Sequence, residues 1–439
     1  MPFRRLACSS FRILLLTFVL SATCLAQTFR LVSQSGPHRG IPGGSGGTPV
    51  RVSPGDWSQL SKLISGQGLL ADNFGISVAI SGDTVVVGSL TLGSQEIVAH
   101  IFRKSALGWR DTLPIAALRQ PSPRTAFGSS VAIDGDTVVV GSGSFDSGIP
   151  GVAYVFVRPA TGWTNMTPTA ILTPSDSMDR DFGQNVSISG NTIVVGDSTF
   201  NSSTGEAYVY VKPAAGWANT TETAKLTASD GVPNDNLGAS VSIDGSTIAV
   251  GAPQINAGTG KAYVFVEPAT GWADITQTAE LTASDALSNF SVGYSISVGG
   301  DNILVGAPSG YYRNSFPGNA YLFTKPSGGW ANMTQTAELL PADGKPDDAF
   351  GDSVAIAGKT AAVGAPRRGG LPVSLEGGIY VFREPTGGWQ NMSGRTVLTG
   401  SDARHGAFFG ASIGISGNLL VGGADFFFIP GAAYVFGLP

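Results

Sequence analysis

Three glycines at fixed spacing recur seven times along this chain, and few folds can accommodate that pattern. The first stands at Gly75, Gly128, Gly183, Gly238, Gly293, Gly351 and Gly410, at separations of 53, 55, 55, 55, 58 and 59 residues. A second glycine follows each of these anchors by seven residues and a third by thirteen, as in Gly128, Gly135 and Gly141. Self-similarity at a period near 55 residues marks a repeat architecture rather than a set of unrelated domains. Between the first two glycines the residues alternate, as in Gly128-Ser-Ser-Val-Ala-Ile-Asp-Gly135. Alternation of period two is strand periodicity, and the second glycine then closes a tight hairpin. An apolar strand such as Val138–Val140 follows, then Ala153-Tyr-Val-Phe-Val157, then Thr169-Ala-Ile-Leu172. Four short antiparallel strands per repeat make one propeller blade, so the chain is expected to be all-β, a seven-bladed β-propeller of four-stranded antiparallel blades.

Trp109, Trp163, Trp217, Trp272, Trp330 and Trp389 each stand ten residues after an aligned Ala or Ile, and are read as marking the outer strands of blades one to six. The seventh blade reaches Ala433-Tyr-Val-Phe436 and has no outer strand of its own. The segment from Gly55 through Trp57 to Leu63 is therefore expected to complete it, joining the two ends of the propeller and removing an open sheet edge. On that count there is one Trp per blade. Small residues two positions past each anchor (Ser77, Ser130, Asn185, Ser240, Ser295, Ser353, Ser412) suit an innermost strand, where blades converge on the axis.

Composition narrows the function. The 439 residues include 61 Gly and only 13% charged residues, with a formal charge of 26 − 31 = −5 and no long basic run, so nucleic acid is excluded as a partner. Arg4, Arg5 and Arg12 precede the apolar run from Ile13 to Leu20, and Cys24-Leu25-Ala26 offers a cleavage site, so residues 1–26 read as a secretory signal peptide. Both cysteines, Cys8 and Cys24, lie within it, leaving a mature chain of charge 23 − 31 = −8 without thiols. Gly- and Pro-rich residues 27–54 read as a flexible linker, and 55–439 as the propeller. The expectation is a secreted or cell-surface protein, monomeric, with no integral membrane segment in its mature form.

The pattern resembles the FG-GAP repeat family, whose members include the seven-bladed propeller of integrin α subunits and many exported bacterial proteins. Phe350-Gly351 with Gly364-Ala365-Pro366 is its most literal instance, followed by Leu237-Gly238 with Gly251-Ala252-Pro253 and by Gly306-Ala307-Pro308. Integrin-type repeats bind calcium through an Asp-rich loop. Here the corresponding hairpin, as at Asp134-Gly135, is too short to supply five or more oxygen ligands, so that site is not carried over and no cofactor is expected. Acidic loops precede several anchors (Asp176, Asp179 and Asp181; Asp230 and Asp235; Asp343, Asp347 and Asp348), and read either as turn residues or as a loose calcium site.

From the third glycine to the third strand the loop varies over 11, 12, 11, 11, 14, 15 and 10 residues, while the opposite loops keep a constant length. Variation confined to one face suits a scaffold with a binding face. Its richest loops carry Tyr311, Tyr312, Arg313 and Phe316, then Arg367 and Arg368, then Phe426, Phe427 and Phe428, a set that fits an extracellular protein or glycan. The alternative is a hydrolase or lyase acting on extracellular polysaccharide. Against catalysis, His38 lies in the linker, His100 takes a Tyr-like repeat position, and only His405 falls on the variable face. No zinc-spaced or Gly-x-Ser-x-Gly pattern occurs. Asn165, Asn219, Asn332 and Asn391 form sequons two residues after a blade Trp, with Asp111 and Asp274 at the same position elsewhere, so all six read as turn residues.

Overall fold

The computed structural model describes residues 57–66, 72–89, 98–110, 113–121, 126–143, 150–176, 181–309, 316–369, 375–402, 406–425 and 430–438. The chain divides between Thr48 and Pro49, and every described residue belongs to the second unit. The expected signal peptide and linker, and with them His38, therefore fall outside the described residues.

Seven antiparallel sheets follow one another along the chain, each meandering outward from an inner strand. Blade four shows the pattern: Ser240–Asp244 innermost, then Thr247–Ala252, Lys261–Val266 and the outer Ala279–Thr282. Alternation decides which way each side chain points, and both faces of every blade are apolar because both meet a neighbour. In the interface between blades three and four, Val194, Val209 and Leu226 of one sheet meet Val241, Ile248, Val250 and Phe265 of the next. Among the described residues seven such clusters form, one per junction, and the last brings Val421 and Val435 against Val78 and Val85, so the ring is closed. The outer strand of blade seven is Ser58–Leu63, paired antiparallel with Ala432–Gly437 through Leu63 opposite Ala433 and Lys62 opposite Tyr434. The N-terminal clasp read from the sequence is present.

The Trp count needs correction. Six Trp lie nine residues before the outer-strand Leu, as Trp272 does before Leu281, and they sit in the connection ahead of the outer strand rather than within it. Trp57 lies six residues before Leu63, in the place of Met166, Ile275, Met333 and Met392, and like them it packs partly buried against the preceding junction. The agreement between seven Trp and seven blades is a coincidence.

The same connection laces neighbouring blades together. Ile275–Thr276 runs parallel to the outer strand of blade three, Met333–Thr334 to that of blade four, and Met392–Gly394 to that of blade five. At the sequon position, Asn165, Asn219, Asp274, Asn332 and Asn391 each accept a hydrogen bond of 2.9 Å from a backbone N–H of the preceding outer strand. These residues close an edge that would otherwise face solvent unpaired, which a turn-forming role alone does not describe.

The small residues of the inner strands also do more than fit. Ser77, Ser240, Ser295, Ser353 and Ser412 donate to the anchor-glycine carbonyl of the next blade at 2.7–2.8 Å. The third glycine is required by the same close approach. A methyl group at Gly251 would lie 2.0 Å from the Gly293 carbonyl oxygen and 2.3 Å from Ser240 Oγ. Six residues earlier, at the hairpin, Gly245 has φ +56° and open space around it, so its requirement is conformational.

Candidate binding face

Each inner strand runs from its anchor glycine to its hairpin, which gives the ring two unlike ends. The hairpin end forms an axial depression of about 330 Å³, ringed by Ile80, Ile133, Ile188, Ile243, Val298 and Ile356. Its rim is a chain of hydrogen bonds in which a hairpin glycine N–H donates to the preceding blade. Gly82 donates to Ser416, Gly135 to Ser81, Gly190 to Asp134, Gly245 to Ser189 and Gly300 to Asp244, at 2.6–3.1 Å. The links stop at Gly299 and Ala357, which have no side-chain acceptor to offer. Polar groups at this end are committed to joining blades.

The other end carries the anchors and the variable loops, and there the repetition breaks. The residue after each anchor is Ile76, Ser129, Gln184, Ala239, Tyr294, Asp352 or Ala411, so a carboxylate appears once. Two residues past the third glycine, Asp425 replaces the Pro253, Pro308 and Pro366 of blades four to six. Asp352 lies two residues ahead of the inner strand of blade six (Val354–Ala357) and Asp425 directly follows the second strand of the adjacent blade seven (Leu419–Ala424), so both lie on the variable-loop end. Burial pushes the Asp352 carboxyl up to about 7, against the Arg367 charge that lowers it. Burial pushes Asp425 up to about 7 as well, and the neighbouring Asp352 charge adds to that rise. Two carboxyls that interact while poised near neutrality can share a proton or exchange one with a bound group. Arg367, half-buried, holds its backbone N–H on the Asp348 carbonyl at 3.2 Å.

A family model for the FG-GAP repeat matches residues 57–94, 121–156, 166–210, 220–265, 275–323 and 333–382, more than half of the chain. The protein belongs to the FG-GAP repeat family. No curated protein matches it. The matched FG-GAP units are offset from the blades. The unit at 166–210, for example, begins with the outer strand of blade two and ends with the third strand of blade three. That offset is what makes the first unit start with the closing strand.

Against this FG-GAP frame the residues expected in the binding set separate. Arg367 carries its charge near the Asp352 carboxyl, which it holds down against burial. Arg368 is already engaged: its Nη2 donates to Asp343 at 2.7 Å, its Nε to the Tyr380 hydroxyl at 3.1 Å, and its guanidinium lies 5.9 Å from the Tyr380 ring centroid. Phe316 is exposed and packs edge-on against Phe290 at 5.6 Å. Tyr311, Tyr312, Arg313, Phe426, Phe427, Phe428 and His405 lie outside the described residues.

The acidic loops have a structural occupation. Asp176, Asp230, Asp343 and Asp402 each accept the hydroxyl of a third-strand Tyr: Tyr208, Tyr263, Tyr380 and Tyr434, at 2.6–3.1 Å. Each also pairs with a cation: Lys225, Lys261 at 2.6 Å, Arg368 at 2.7 Å and Lys62 at 2.5 Å. Against the burial that would raise it, hydrogen bonds from Lys261 and Tyr263 hold Asp230 below the usual carboxylate range. Asp235 and Asp348 instead accept backbone N–H groups of their own loops at 2.8 Å, from Val232 and Lys345. Asp179 and Asp111 lie outside the described residues. Among the described residues no group of three or more His, Cys, Asp or Glu is disposed to hold a metal ion, and no helix is long and apolar enough to cross a membrane. His100 replaces the third-strand Tyr in blade one, stacked edge-on against Phe74 at 5.3 Å, and burial depresses its pKa to about 4.

Sequence reasoning passed over Asp352 and Asp425. The signal was present, since each departs from all six counterparts, but acidic residues were considered there only where they recur.

Proposed function

We propose that this FG-GAP propeller is an exported binding scaffold that captures an extracellular protein or glycan on its variable-loop face. The observation that carries the reading is the Arg367, Asp352 and Asp425 cluster. It is charged, breaks the seven-fold repetition, and lies at the axial end of the face whose loops vary in length. Export rests on the leader-like residues 1–26. Charged side chains poised beside exposed loops provide directional contacts, and loops vary without disturbing the ring. Binding to an array of extracellular-matrix proteins and glycans tests this. Saturable capture that weakens at least tenfold in Arg367→Ala is the expected result, and capture unaffected by Arg367→Ala or Asp352→Asn refutes the assignment of the face.

A second reading is a polysaccharide hydrolase or lyase, and the same two carboxyls favour it. A carboxyl that stays protonated near neutrality is suited to general-acid work beside an ionised partner. Release of reducing or unsaturated ends from polysaccharide, lost in both Asp352→Asn and Asp425→Asn, supports catalysis. Saturable binding without product supports the scaffold.

A further inference from the structure

Five of the loops ahead of the anchors set an aspartate against the hydroxyl of a third-strand tyrosine, and in four of them a cation completes the group. Asp230, Tyr263 and Lys261 form the clearest case. Lys261 Nζ lies 2.6 Å from Asp230, 3.0 Å from Glu280 and 5.6 Å from the centre of the Tyr263 ring. Lys62 and Arg368 stand likewise at Asp402 and Asp343, each 5.9 Å from the ring centre of Tyr434 or Tyr380. Lys225 pairs with Asp176 beside Tyr208. The cation comes from the third strand in blade four, from the outer strand in blades three and seven, and from the variable loop in blade six. What recurs is the positive charge, not the element that brings it. Carboxylate and tyrosine ring together hold an ammonium by ion pairing and by cation–π attraction.

Blade five keeps the acceptors. Asp285 hydrogen-bonds to Tyr321 and lies within hydrogen-bonding reach of Glu338. Glu338 stands opposite Tyr321 as Glu280 stands opposite Tyr263. At the Lys261 position, however, is Asn319. Its amide has two hydrogens, committed to Glu338 at 2.9 Å and to the Tyr321 hydroxyl at 3.0 Å, so neither is left for Asp285. Among the described residues no basic side chain forms an ion pair with either carboxyl. Burial and the Asp285 charge accordingly push Glu338 up to about 7. Asp285 is exposed and Glu338 half-buried, so the pair opens to solvent. Leu287, two residues past Asp285, and Phe316, three before Asn319, are 57% and 46% exposed. Phe316 packs on Phe290, in the turn that Leu287 begins. Apolar surface on the two segments that carry the carboxylate site suits a cation borne on an aliphatic stem.

We propose that Asp285, Glu338 and the Tyr321 ring bind the ammonium of a lysine side chain from a partner polypeptide, which supplies from outside the cation that other blades draw from their own chain. Lys261 is the internal template for this occupant. A divalent metal would need more anionic oxygens than two carboxylates supply, and among the described residues no group of three or more acidic, His or Cys side chains is disposed to hold one. The site lies at the variable-loop end, where Asn319 begins a third strand and Asp285 precedes an anchor. The proposal rests on the reading of that end as the capture face, and gives the face one contact of defined chemistry. A single exposed ion pair is weak by itself, so its test reads the carboxyl directly rather than partner capture.

Glutamate carboxyl carbons of the full chain are isotopically labelled and titrated by nuclear magnetic resonance, and Glu338→Gln assigns the resonance. The probe is Nα-acetyl-lysine N-methylamide, with the uncharged norleucine analogue as control. The Glu338 midpoint, about 7 without probe, is expected to fall by about one unit or more as the lysine probe saturates, and to stay in place with norleucine. Asn319→Lys puts in blade five the residue that blade four carries at that position, so folding is retained and thermal unfolding verifies it. This variant is expected to show the lowered midpoint without probe and to lose the response to it. A midpoint that the lysine probe does not move, or that both probes move equally, overturns the proposal. So does a native midpoint already in the ordinary carboxylate range, which reveals a cation from the chain itself, such as Arg313 outside the described residues. Movement by calcium where the lysine probe has no effect also overturns it and assigns the pair to a metal. None of these readings depends on Arg367, so this contact and the capture role of the Asp352 cluster fail independently.

Discussion

Replacing Gly251 with Ala adds one methyl group at the tightest point between blades four and five. That methyl would sit 2.0 Å from the Gly293 carbonyl oxygen and 2.3 Å from Ser240 Oγ, distances at which carbon and oxygen cannot coexist. Neither neighbour is a free rotor. The carbonyl is main chain at an anchor with φ +92°, and Ser240 Oγ donates to that same oxygen at 2.8 Å. Relief requires the blade-five anchor to retreat by about 1 Å, which opens the packed junction where Ala249 and Ala262 meet Ile296 and Val305, and breaks the serine hydrogen bond. Overpacking of this kind costs about 3 kcal/mol or more once the lost hydrogen bond is added. Gly245→Ala is the internal control. Its methyl meets nothing within 4 Å, so only the φ of +56° is strained, at about 1 kcal/mol. Urea unfolding of both variants, followed by far-ultraviolet circular dichroism, measures the difference. Equal losses in the two variants would refute the close-approach account and leave backbone freedom as the sole reason for both glycines.

Asp352→Asn is expected to stabilise the fold at pH 8 and to do nothing below pH 4. The native carboxyl pKa is raised, so wild-type stability is lost as pH rises between the unfolded value near 4 and about 7, and the amide avoids that loss. After allowance for partial exposure the gain is about 2 kcal/mol, read from urea unfolding across pH. Asn332→Ala leaves the Glu280 N–H without its acceptor and is expected to cost about 1 kcal/mol, whereas Asn332→Asp is near neutral because Asp274 makes the same bond one blade earlier. Arg367→Ala and Arg368→Ala are expected to differ in kind. The first weakens ligand capture and leaves the melting temperature unchanged. The second lowers stability by about 1 kcal/mol through loss of the Asp343 pair and leaves capture intact.

The ring was legible in the sequence because its determinants are local and repeated: strand alternation, a hairpin glycine, and a leftover outer strand at the N-terminus. Less legible were features whose partner lies one blade away. Serine two positions past the anchor reads as small, yet its hydrogen bond goes to a carbonyl some 50 residues downstream, as from Ser77 to Gly128, a distance that spacing alone does not reveal. Asp230 reads as a turn residue or a loose cation ligand, and its hydroxyl donor, Tyr263, belongs to the following blade. Trp57 misled for the opposite reason. It matched a count, and only the strand register shows it three residues out of phase.

A chain that repeats one unit seven times supplies its own background for recognising function. Each position is sampled in seven equivalent environments, so a residue unlike its counterparts departs from what the scaffold alone requires. The departures are not scattered. Charged exceptions, Asp352 and Asp425 with Arg367, meet at the axial end of the variable-loop face, where their solvation is already perturbed. Apolar exceptions, Leu60, Leu107, Leu113 and Ile115, meet at the rim where the ring closes. Polar groups that replace hydrophobes or prolines at a mouth cost stability and so point toward a bound group, whereas aliphatics that replace hydrogen-bonding threonines point toward a covering surface. The two sets differ in chemistry, and the charged one is the one assigned to capture of an external ligand.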